Sequence, residues 1–390
     1  MAQIIAHLGR NGEEETLILS FAASLPQGND RDFAVHGANE FGIMSPKGET
    51  AMKKRIVLGV ACLAVAFSAV ASGEAGIGQE KTLKVLMIGN SFSRSVLREI
   101  PELAKAAGLK LDIVQCGIGG CSLDRHWENV ERSGDSDFKP YGIAASFYCD
   151  TNRKFPDKAN VTDMLVAEKW DVVTIQQASG KSAFYETYEP YAEKLIAKIR
   201  ELAPQAEIVV QETWSYSPYD ERLAKWKMSP KEMHEALKKA YARLASKYGL
   251  RTIPVGDAVQ MFRDRRPVEY GTLLTHSGIL ALKHPEVLDF HGDVVGSSAW
   301  KKQRGKGSQK DREEMKLIND FPHLNVRGNY LQACVWLGFL FNVDPTTFSY
   351  SPKVLSHADA KLMRECARDA LRASRLITGN RGSRPLASPV

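Results

Sequence analysis

The sequence predicts an α/β protein, a doubly wound three-layer α/β/α sandwich with a central parallel sheet of about five strands in flavodoxin-like order. Short apolar, β-branched runs alternate with segments whose apolar residues recur at helical spacing, which is typical of a parallel sheet covered on both faces. Right-handed crossovers between such strands place helices on both sides of the sheet. The 390 residues are 44% hydrophobic and 25% charged, a globular composition that excludes fibrous and wholly disordered proteins.

Five apolar runs are predicted to form the strands of the sheet, each followed within two residues by a glycine or a polar residue. They are residues 83–88, 111–115, 171–175, 208–211 and 252–255. Chemistry in such a fold lies beyond the carboxyl ends of the strands. The residues that follow these five runs are therefore the first candidates for a functional site.

Helices are predicted from apolar spacing and from capping residues. Ser229 and Glu232 form a capping box around Pro230, so a helix is expected to begin there and to run to Tyr248, where Gly249 ends it. Asn325 is a candidate cap of another helix. The other predicted helices span residues 95–107, 186–202, 328–341 and 356–377.

The N-terminal region has the pattern of a secretory signal peptide. Met52 is followed by three basic residues, an apolar stretch over 56–70 and a small-residue Ala-Val-Ala site, which are the three parts of such a signal. We expect residues 52–71 to direct the protein to a secreted or periplasmic location and then to be removed. Residues 1–51 are expected to be a disordered, wrongly assigned extension upstream of the true start.

The rest of the chain is expected to form one domain over residues 80–378. Insertions are predicted at about 121–161 and 262–319, and a disordered tail at 379–390. The net charge is +6 over 52 basic and 46 acidic residues, too weak an excess for a nucleic-acid-binding protein. Six cysteines are too few for a disulfide scaffold. We expect no nucleic-acid partner and no stable membrane insertion after signal removal.

Three residues have the chemistry of an acyl-transfer site. Ser91 follows the first predicted strand and is a candidate nucleophile, although a serine hydroxyl needs a base to remove its proton. His323 is the candidate base. Asp320 lies three residues before it and is a candidate to orient the imidazole and stabilise its cationic form.

An oxyanion that develops during acyl transfer needs donors fixed in advance. The candidates are the backbone N–H groups of Ser91 and Gly120 and the side-chain amide of Gln177, with Gly119 and Gln176 as alternatives.

Four further residues are candidates for binding substrate. Asn90 precedes the candidate nucleophile, and His126 follows the glycine turn after the second strand. Trp214 and Tyr216 begin an aromatic segment after the fourth strand. They are candidates for a sugar-stacking surface, and an ordinary packed aromatic loop is the alternative.

In order and spacing, these motifs resemble the SGNH/GDSL-type hydrolase superfamily, in particular a secreted bacterial branch known only as a domain of unknown function. The Gly-Asp-Ser block of the family appears as Gly89-Asn90-Ser91, the glycine block as Gly120, and the Asp-x-x-His block as Asp320 and His323. The third block, Gly-x-Asn-Asp, is missing, and Gln176-Gln177 occupies that strand end. The resemblance implies a three-layer core and a Ser–His–Asp hydrolase that needs no metal or other cofactor.

The predicted function is therefore that of a secreted serine esterase that removes O-acyl groups, such as acetyl, from a small-molecule or polysaccharide ester. Two other classes stay open. The altered third block allows a non-catalytic carbohydrate-binding protein on the same fold. A metal-dependent phosphoesterase is the other, because a segment rich in metal-capable side chains precedes the Asp-x-x-His motif, although its spacing matches no compact ligand motif. These side chains are His276, His284, Asp289, His291 and Asp293.

Overall fold

The structure is a computed structural model that describes residues 2–10, 13–21, 82–147, 152–266, 273–304 and 313–377. The predicted signal peptide at 52–71 and the predicted tail at 379–390 lie outside the described residues. No helix in the described part of the chain is long and apolar enough to cross a membrane.

Near the N-terminus, β1 (Ala2–Arg10) and β2 (Glu13–Phe21) pair as an antiparallel hairpin, with Arg10 opposite Glu13. Both strands lie within residues 1–51, the range that the sequence analysis predicts to be a disordered extension.

The residues from Gln79 onward form a separate compact unit around a seven-stranded sheet with the order β6-β5-β4-β3-β7-β8-β9. Its strands are β3 (Leu83–Gly89), β4 (Leu111–Gly117), β5 (Tyr141–Phe147), β6 (Lys158–Ala159), β7 (Val172–Ile175), β8 (Glu207–Gln211) and β9 (Arg251–Ile253). The five predicted strands are parallel and take the order second, first, third, fourth, fifth. This flavodoxin-like order confirms the predicted fold class.

The segment predicted as an irregular insertion at 121–161 widens the sheet. β5 runs antiparallel to β4, from Asp112 opposite Phe147 to Gly117 opposite Gly142, and β6 pairs with β5. Glycine, alanine and serine make up much of β5. Because these residues have low strand propensity, the sequence pattern does not predict a strand here. Pairing with the edge of the parallel sheet decides its conformation.

The helices of this unit follow in chain order. They are α1 (Ser91–Arg94), α2 (Ile100–Ala106), α3 (Leu123–Glu131), α4 (Val161–Val166), α5 (Tyr191–Leu202), α6 (Glu221–Trp226), α7 (Pro230–Tyr248), α8 (Val255–Arg265), α9 (His276–Leu280), α10 (Val326–Phe341) and α11 (His357–Ile377). Short 3₁₀ turns lie at Ser95–Arg98, Tyr185–Thr187 and Pro345–Thr347.

Most predicted helices are present, and the two predicted N-terminal caps are formed. Ser229 and Glu232 form the capping box of α7, and the Asn325 side chain accepts the N–H groups of Arg327 and Gly328 at the start of α10. The helix predicted at 95–107 is instead split into the 3₁₀ turn Ser95–Arg98 and α2, and α1 precedes both. Pro101 at the start of α2 explains the split, because proline is tolerated in a first helical turn and not in an interior.

Helices pack around the sheet in two groups. α2, α8 and α11 contact α10, while α3 and α4 contact α5. α10 is buried along nearly its whole length, as expected for a helix that is apolar on all sides.

An antiparallel ribbon of β10 (Val295–Arg304) and β11 (Glu313–Leu324) begins in the second predicted insertion, 262–319, and extends five residues beyond it. The pairing is irregular at its end, where Ser297 is opposite Asp320 and Val295 is opposite Leu324. Three residues, 321–323, therefore lie opposite Gly296 alone. A bulge of this kind bends a strand and redirects its side chains, and here it falls within the Asp-x-x-His motif.

Candidate active site

Ser91 lies on a tight connection between β3 and α1. The side chain of Asn90 caps α1 by accepting the N–H of Phe92 at 3.0 Å, which leaves Ser91 as the first, partly exposed residue of the helix. A Cβ atom on Gly89 would lie 2.5 Å from the Oγ of Ser93. A larger residue at this position would therefore require the hydroxyl of Ser93 to move from its hydrogen bonds.

Gln115 on the neighbouring strand holds this turn in place. Its Nε2 donates to the carbonyl of Asn90 at 2.7 Å and to the Oγ of Ser93 at 2.8 Å. Ser93 is buried and its hydroxyl is committed to this network. Ser91 is thus the exposed hydroxyl of the turn.

The structure brings Ser91, His323 and Asp320 into one chain of hydrogen bonds. His323 Nε2 lies 2.8 Å from the Oγ of Ser91, and His323 Nδ1 lies 2.8 Å and 3.0 Å from the two carboxylate oxygens of Asp320. A carboxylate can only accept, so Nδ1 carries the proton of the neutral ring and Nε2 is left to accept the serine hydroxyl. This is the arrangement that activates a serine nucleophile.

The bulge that presents His323 is fixed from the end of β8. Trp214 Nε1 donates to the carbonyl of Pro322 at 2.9 Å, and the N–H of Ser217 donates to the carbonyl of Phe321 at 3.1 Å. The ring of Phe92 stacks on Trp214 with centroids 4.2 Å apart and lies 5.3 Å from the His323 ring. Trp214 and Phe92 are therefore positioning residues for the imidazole.

Asp320 is held in its ionised form. Partial burial opposes ionisation, but the hydrogen bond and the charge interaction with His323 outweigh it and lower the pKa of the Asp320 carboxyl. The side chains of Asp320 and His323 are 40% and 38% exposed, so the site is open to ligands.

Two backbone N–H groups are candidate oxyanion donors, and their two loops are joined by the hydrogen bond from Asn90 Nδ2 to the carbonyl of Cys121 at 2.9 Å. The N–H of Ser91 at the start of α1 and the N–H of Gly120 in the turn after β4 have no hydrogen-bond acceptor among the described residues. Gly120 adopts a left-handed φ of 61°, and both it and Gly119, its alternative, are exposed. Free N–H groups near a nucleophile are the donors that a developing oxyanion requires.

The prediction that Gln177 supplies the third donor is wrong. Its Oε1 accepts the N–H groups of Leu123 and Ala178, and its Nε2 donates to Thr187. Because the amide is buried at the end of β7, its oxygen and nitrogen both need hydrogen-bond partners, and they join the start of α3 to the turn at Thr187.

The alternative residue, Gln176, contacts the nucleophile turn. Its Nε2 donates to the Oδ1 of Asn90 at 2.7 Å, and it is buried. It therefore fixes the residue that precedes Ser91.

The four predicted substrate-binding residues are all buried. Asn90 donates to the carbonyl of Cys121, and Trp214 and Tyr216 fill the space behind the bulge, where Arg222 covers the ring of Tyr216. His126 is enclosed next to Tyr141, whose hydroxyl lies 2.9 Å from its Nδ1. The aromatic segment is therefore a packed loop. Its large rings are buried behind the bulge and are not available to stack on a sugar.

Burial of His126 predicts a defined acid sensitivity. Desolvation lowers its pKa to about 3 in the folded protein, against about 6.5 for an unfolded histidine. The unfolded state therefore binds the extra proton first, and this contribution to stability is complete above pH 6.5 and is lost as the pH falls toward 3. At pH 4.5 the loss is about 3 kcal/mol.

Urea unfolding at pH 7 and pH 4.5 measures this effect. We expect the His126→Asn variant, which cannot be protonated, to show a difference between the two pH values that is smaller than in the wild type by about 3 kcal/mol. Equal differences in the two proteins would contradict the assignment. The contributions of the other titrating groups are the same in both proteins and therefore cancel when the two differences are compared.

The predicted metal-capable cluster does not assemble. His276 pairs with Glu221, His291 with Asp289, and Asp293 with Arg263, while the ring of His284 packs against Trp300. Only Asp289 and His291 contact each other, and the other three side chains have partners outside the set.

A different group, missed in the sequence, brings possible metal ligands together. Atoms of Glu212, His234 and Asp257 lie within 4.8 Å of one another and are buried. Their spacing in the sequence follows no known motif, so tertiary structure alone reveals them. Asp257 already contacts the Nζ of Lys238 at 3.0 Å, and Glu212 accepts the N–H of Asp257 at 3.0 Å. These contacts indicate a structural cap at the start of α8.

A groove beside His323 was also missed. We call it the His323 groove, and its volume is about 640 Å³. Its apolar walls come from three separate segments, which is why no local pattern predicts it. These walls include Tyr219, Leu274, Ile279, Leu280, Ile318 and Phe321.

Comparisons with known proteins agree with this fold. Residues 84–267 match the family model of the domain of unknown function DUF4886. The chain is similar to the crystal structure of a DUF4886 family protein from Bacteroides uniformis, with 25% identity, a TM-score of 0.57, and coverage of 75% of this chain and 95% of that chain. No curated protein matches the chain.

More distant similarities are to two further solved structures. A Slackia heliotrinireducens protein assigned to the SGNH hydrolases is 18% identical, with a TM-score of 0.38 and coverage of 67% of this chain and 100% of that chain. An acetyl xylan esterase is 13% identical, with a TM-score of 0.33 and coverage of 50% and 89%. Residues 84–267 thus match the DUF4886 family model, and the chain is similar in fold to a solved DUF4886 family protein.

Proposed function

We propose that this protein is a serine ester hydrolase with Ser91 as nucleophile, His323 as general base and acid, and Asp320 as the orienting carboxylate. The observation that carries the proposal is the continuous hydrogen-bond chain from Ser91 Oγ through His323 to Asp320. A non-catalytic binding protein would have no need of an exposed serine joined to a histidine and an ionised carboxylate. The geometry therefore favours catalysis over the binding-protein alternative.

The first half of the reaction acylates the enzyme. Ser91 Oγ attacks the ester carbonyl while His323 Nε2 takes the hydroxyl proton, and Asp320 stabilises the imidazolium that forms. The N–H groups of Ser91 and Gly120 stabilise the oxyanion. The C–O bond to the alcohol then breaks, and the alcohol oxygen leaves with the proton from His323.

Water completes the second half of the reaction. His323 Nε2 takes a proton from water as the water oxygen attacks the acyl carbonyl, and the same proton returns to Ser91 Oγ when the acid is released. One ester and one water thus yield one acid and one alcohol.

The proposed substrate is an O-acyl ester with a short acyl group such as acetyl. The proposal does not include polysaccharide, because the aromatic side chains that suggested sugar stacking lie in the core. We also propose export of the enzyme, on the basis of the signal-peptide pattern at 52–71.

A fluorophosphonate probe tests the proposal, because it reacts with activated serine hydroxyls. We expect covalent labelling, and peptide mass spectrometry should place the label on Ser91. A metal chelator should leave both labelling and ester hydrolysis unchanged. Failure of the native protein to react, or loss of hydrolysis on chelation, would contradict the proposal.

A further inference from the structure

We propose that the His323 groove binds the alcohol part of the ester and favours an extended apolar alcohol. This inference rests on the proposed function and adds the substrate class. It concerns the leaving group, which the catalytic residues alone do not specify.

The direction of proton transfer places the alcohol on this side of the site. His323 donates its proton to the departing alcohol oxygen, so the alcohol must lie next to the imidazole. The groove is lined by His323 itself, with Asp320 and Phe321, while the oxyanion donors Ser91 and Gly120 are not among its lining residues. The acyl group, whose carbonyl faces those donors, is directed away from the groove.

Apolar side chains form about half of the lining of the groove, which also includes the basic residues Arg222 and Lys225. Ile318 and Phe321 come from β11, Ile279 and Leu280 from α9, and Tyr219 from the loop after β8. The rings of Tyr219 and Phe321 stack with centroids 6.1 Å apart, and Phe290 supports both. A volume of about 640 Å³ is in the range of pockets that hold small organic molecules.

The acidic groups of the lining are already paired. Asp220 accepts two hydrogen bonds from the guanidinium of Arg222, at 2.8 Å and 2.6 Å, and Glu221 lies 3.3 Å from His276. A neutral alcohol therefore meets apolar walls without an uncompensated carboxylate.

Large apolar side chains are left exposed at the mouth of the groove. Leu280 is 72% exposed and Leu274 is 43% exposed. An extended alcohol chain would cover both side chains. Removal of this apolar surface from water would stabilise the bound substrate.

Two series of esters of unbranched primary alcohols test the proposal, because their members differ little in intrinsic reactivity. From ethyl acetate to hexyl acetate we expect kcat/KM to rise at least about tenfold, since each fully buried CH₂ is worth about fourfold. From ethyl acetate to ethyl hexanoate we expect no such rise. A flat alcohol series, or a rise confined to the acyl series, would overturn the proposal.

Charged substitutions on α9 connect the preference to the groove. We expect Ile279→Asp to lower the ratio of hexyl to ethyl acetate rates about tenfold, and Leu280→Asp provides a second variant on the exposed side of the same helix. Val354→Asp is the matched control, since Val354 is 68% exposed and lies outside the lining. Its ratio should equal that of the wild type. An unchanged ratio in both α9 variants would overturn the proposal.

The outcomes separate this inference from the proposed function. Labelling of Ser91 with turnover of ethyl acetate, but without preference for hexyl acetate, refutes the alcohol site and leaves the hydrolase intact. Absence of labelling and of turnover refutes the hydrolase itself, and with it the alcohol site.

Discussion

Ser91→Ala is expected to abolish fluorophosphonate labelling and to lower kcat/KM for acetate esters by about 10⁵-fold, with little change in melting temperature. Loss of a nucleophile that acts together with its base removes most of the rate enhancement. Only the small part of the enhancement that comes from the oxyanion donors remains. The melting temperature should hold because Ser91 Oγ contacts the partly exposed His323 and supports no part of the core. Labelling, steady-state kinetics and thermal unfolding of the same preparations measure the three effects.

The matched control is Ser93→Ala, two residues along the same turn. Ser93 is buried, donates to the carbonyl of Asn90 and accepts from Gln115. Its loss should lower the free energy of unfolding by about 1 to 3 kcal/mol but should leave labelling in place. If labelling persists in Ser91→Ala and disappears in Ser93→Ala, the nucleophile has been wrongly assigned.

The parallel core and the three residues that meet at its rim could be predicted from sequence because local patterns specify them. Apolar residues dominate β3, β7 and β8, and a shared rim follows from the parallel direction of the five strands. Ser91 comes directly after one strand, and Asp320 and His323 are neighbours on one bulge. Their meeting with Ser91 follows once the strand order is known.

The surroundings of the site could not be predicted, because side-chain direction at the rim is a tertiary property. Gln176 and Gln177 are adjacent and chemically identical, yet one contacts Asn90 and the other braces Leu123 and Thr187. From sequence alone, Trp214 could equally bind a ligand or be buried. The hydrogen bond from its Nε1 to the carbonyl of Pro322 decides between the two, and this contact depends on the tertiary structure. The His323 groove combines segments far apart in the chain, and no local pattern encodes it.

Asp320→Asn is expected to cost less than Ser91→Ala, about 10²- to 10³-fold in kcat/KM. Replacement of the carboxylate removes the charge that stabilises the imidazolium, and an amide whose NH₂ faced Nδ1 would also favour the wrong tautomer. In this site Oδ1 of Asp320 accepts both the N–H of His323, at 3.3 Å, and its Nδ1, at 2.8 Å. These two donors favour the asparagine rotamer that keeps oxygen in place, so the tautomer survives in part and the loss is moderate.

Steady-state kinetics of Asp320→Asn, His323→Ala and the double variant test whether the pair acts as a unit. We expect His323→Ala to lower kcat/KM by about 10⁴-fold or more, and the double variant to be no slower, because Asp320 acts only through the imidazole. Asp289→Asn is the matched control, since Asp289 is 74% exposed and pairs with His291 at 3.3 Å on the surface. Its rate should equal that of the wild type. Losses that multiply in the double variant would mean that Asp320 contributes to the rate by a route other than His323, and a wild-type rate in Asp320→Asn would remove the carboxylate from the mechanism.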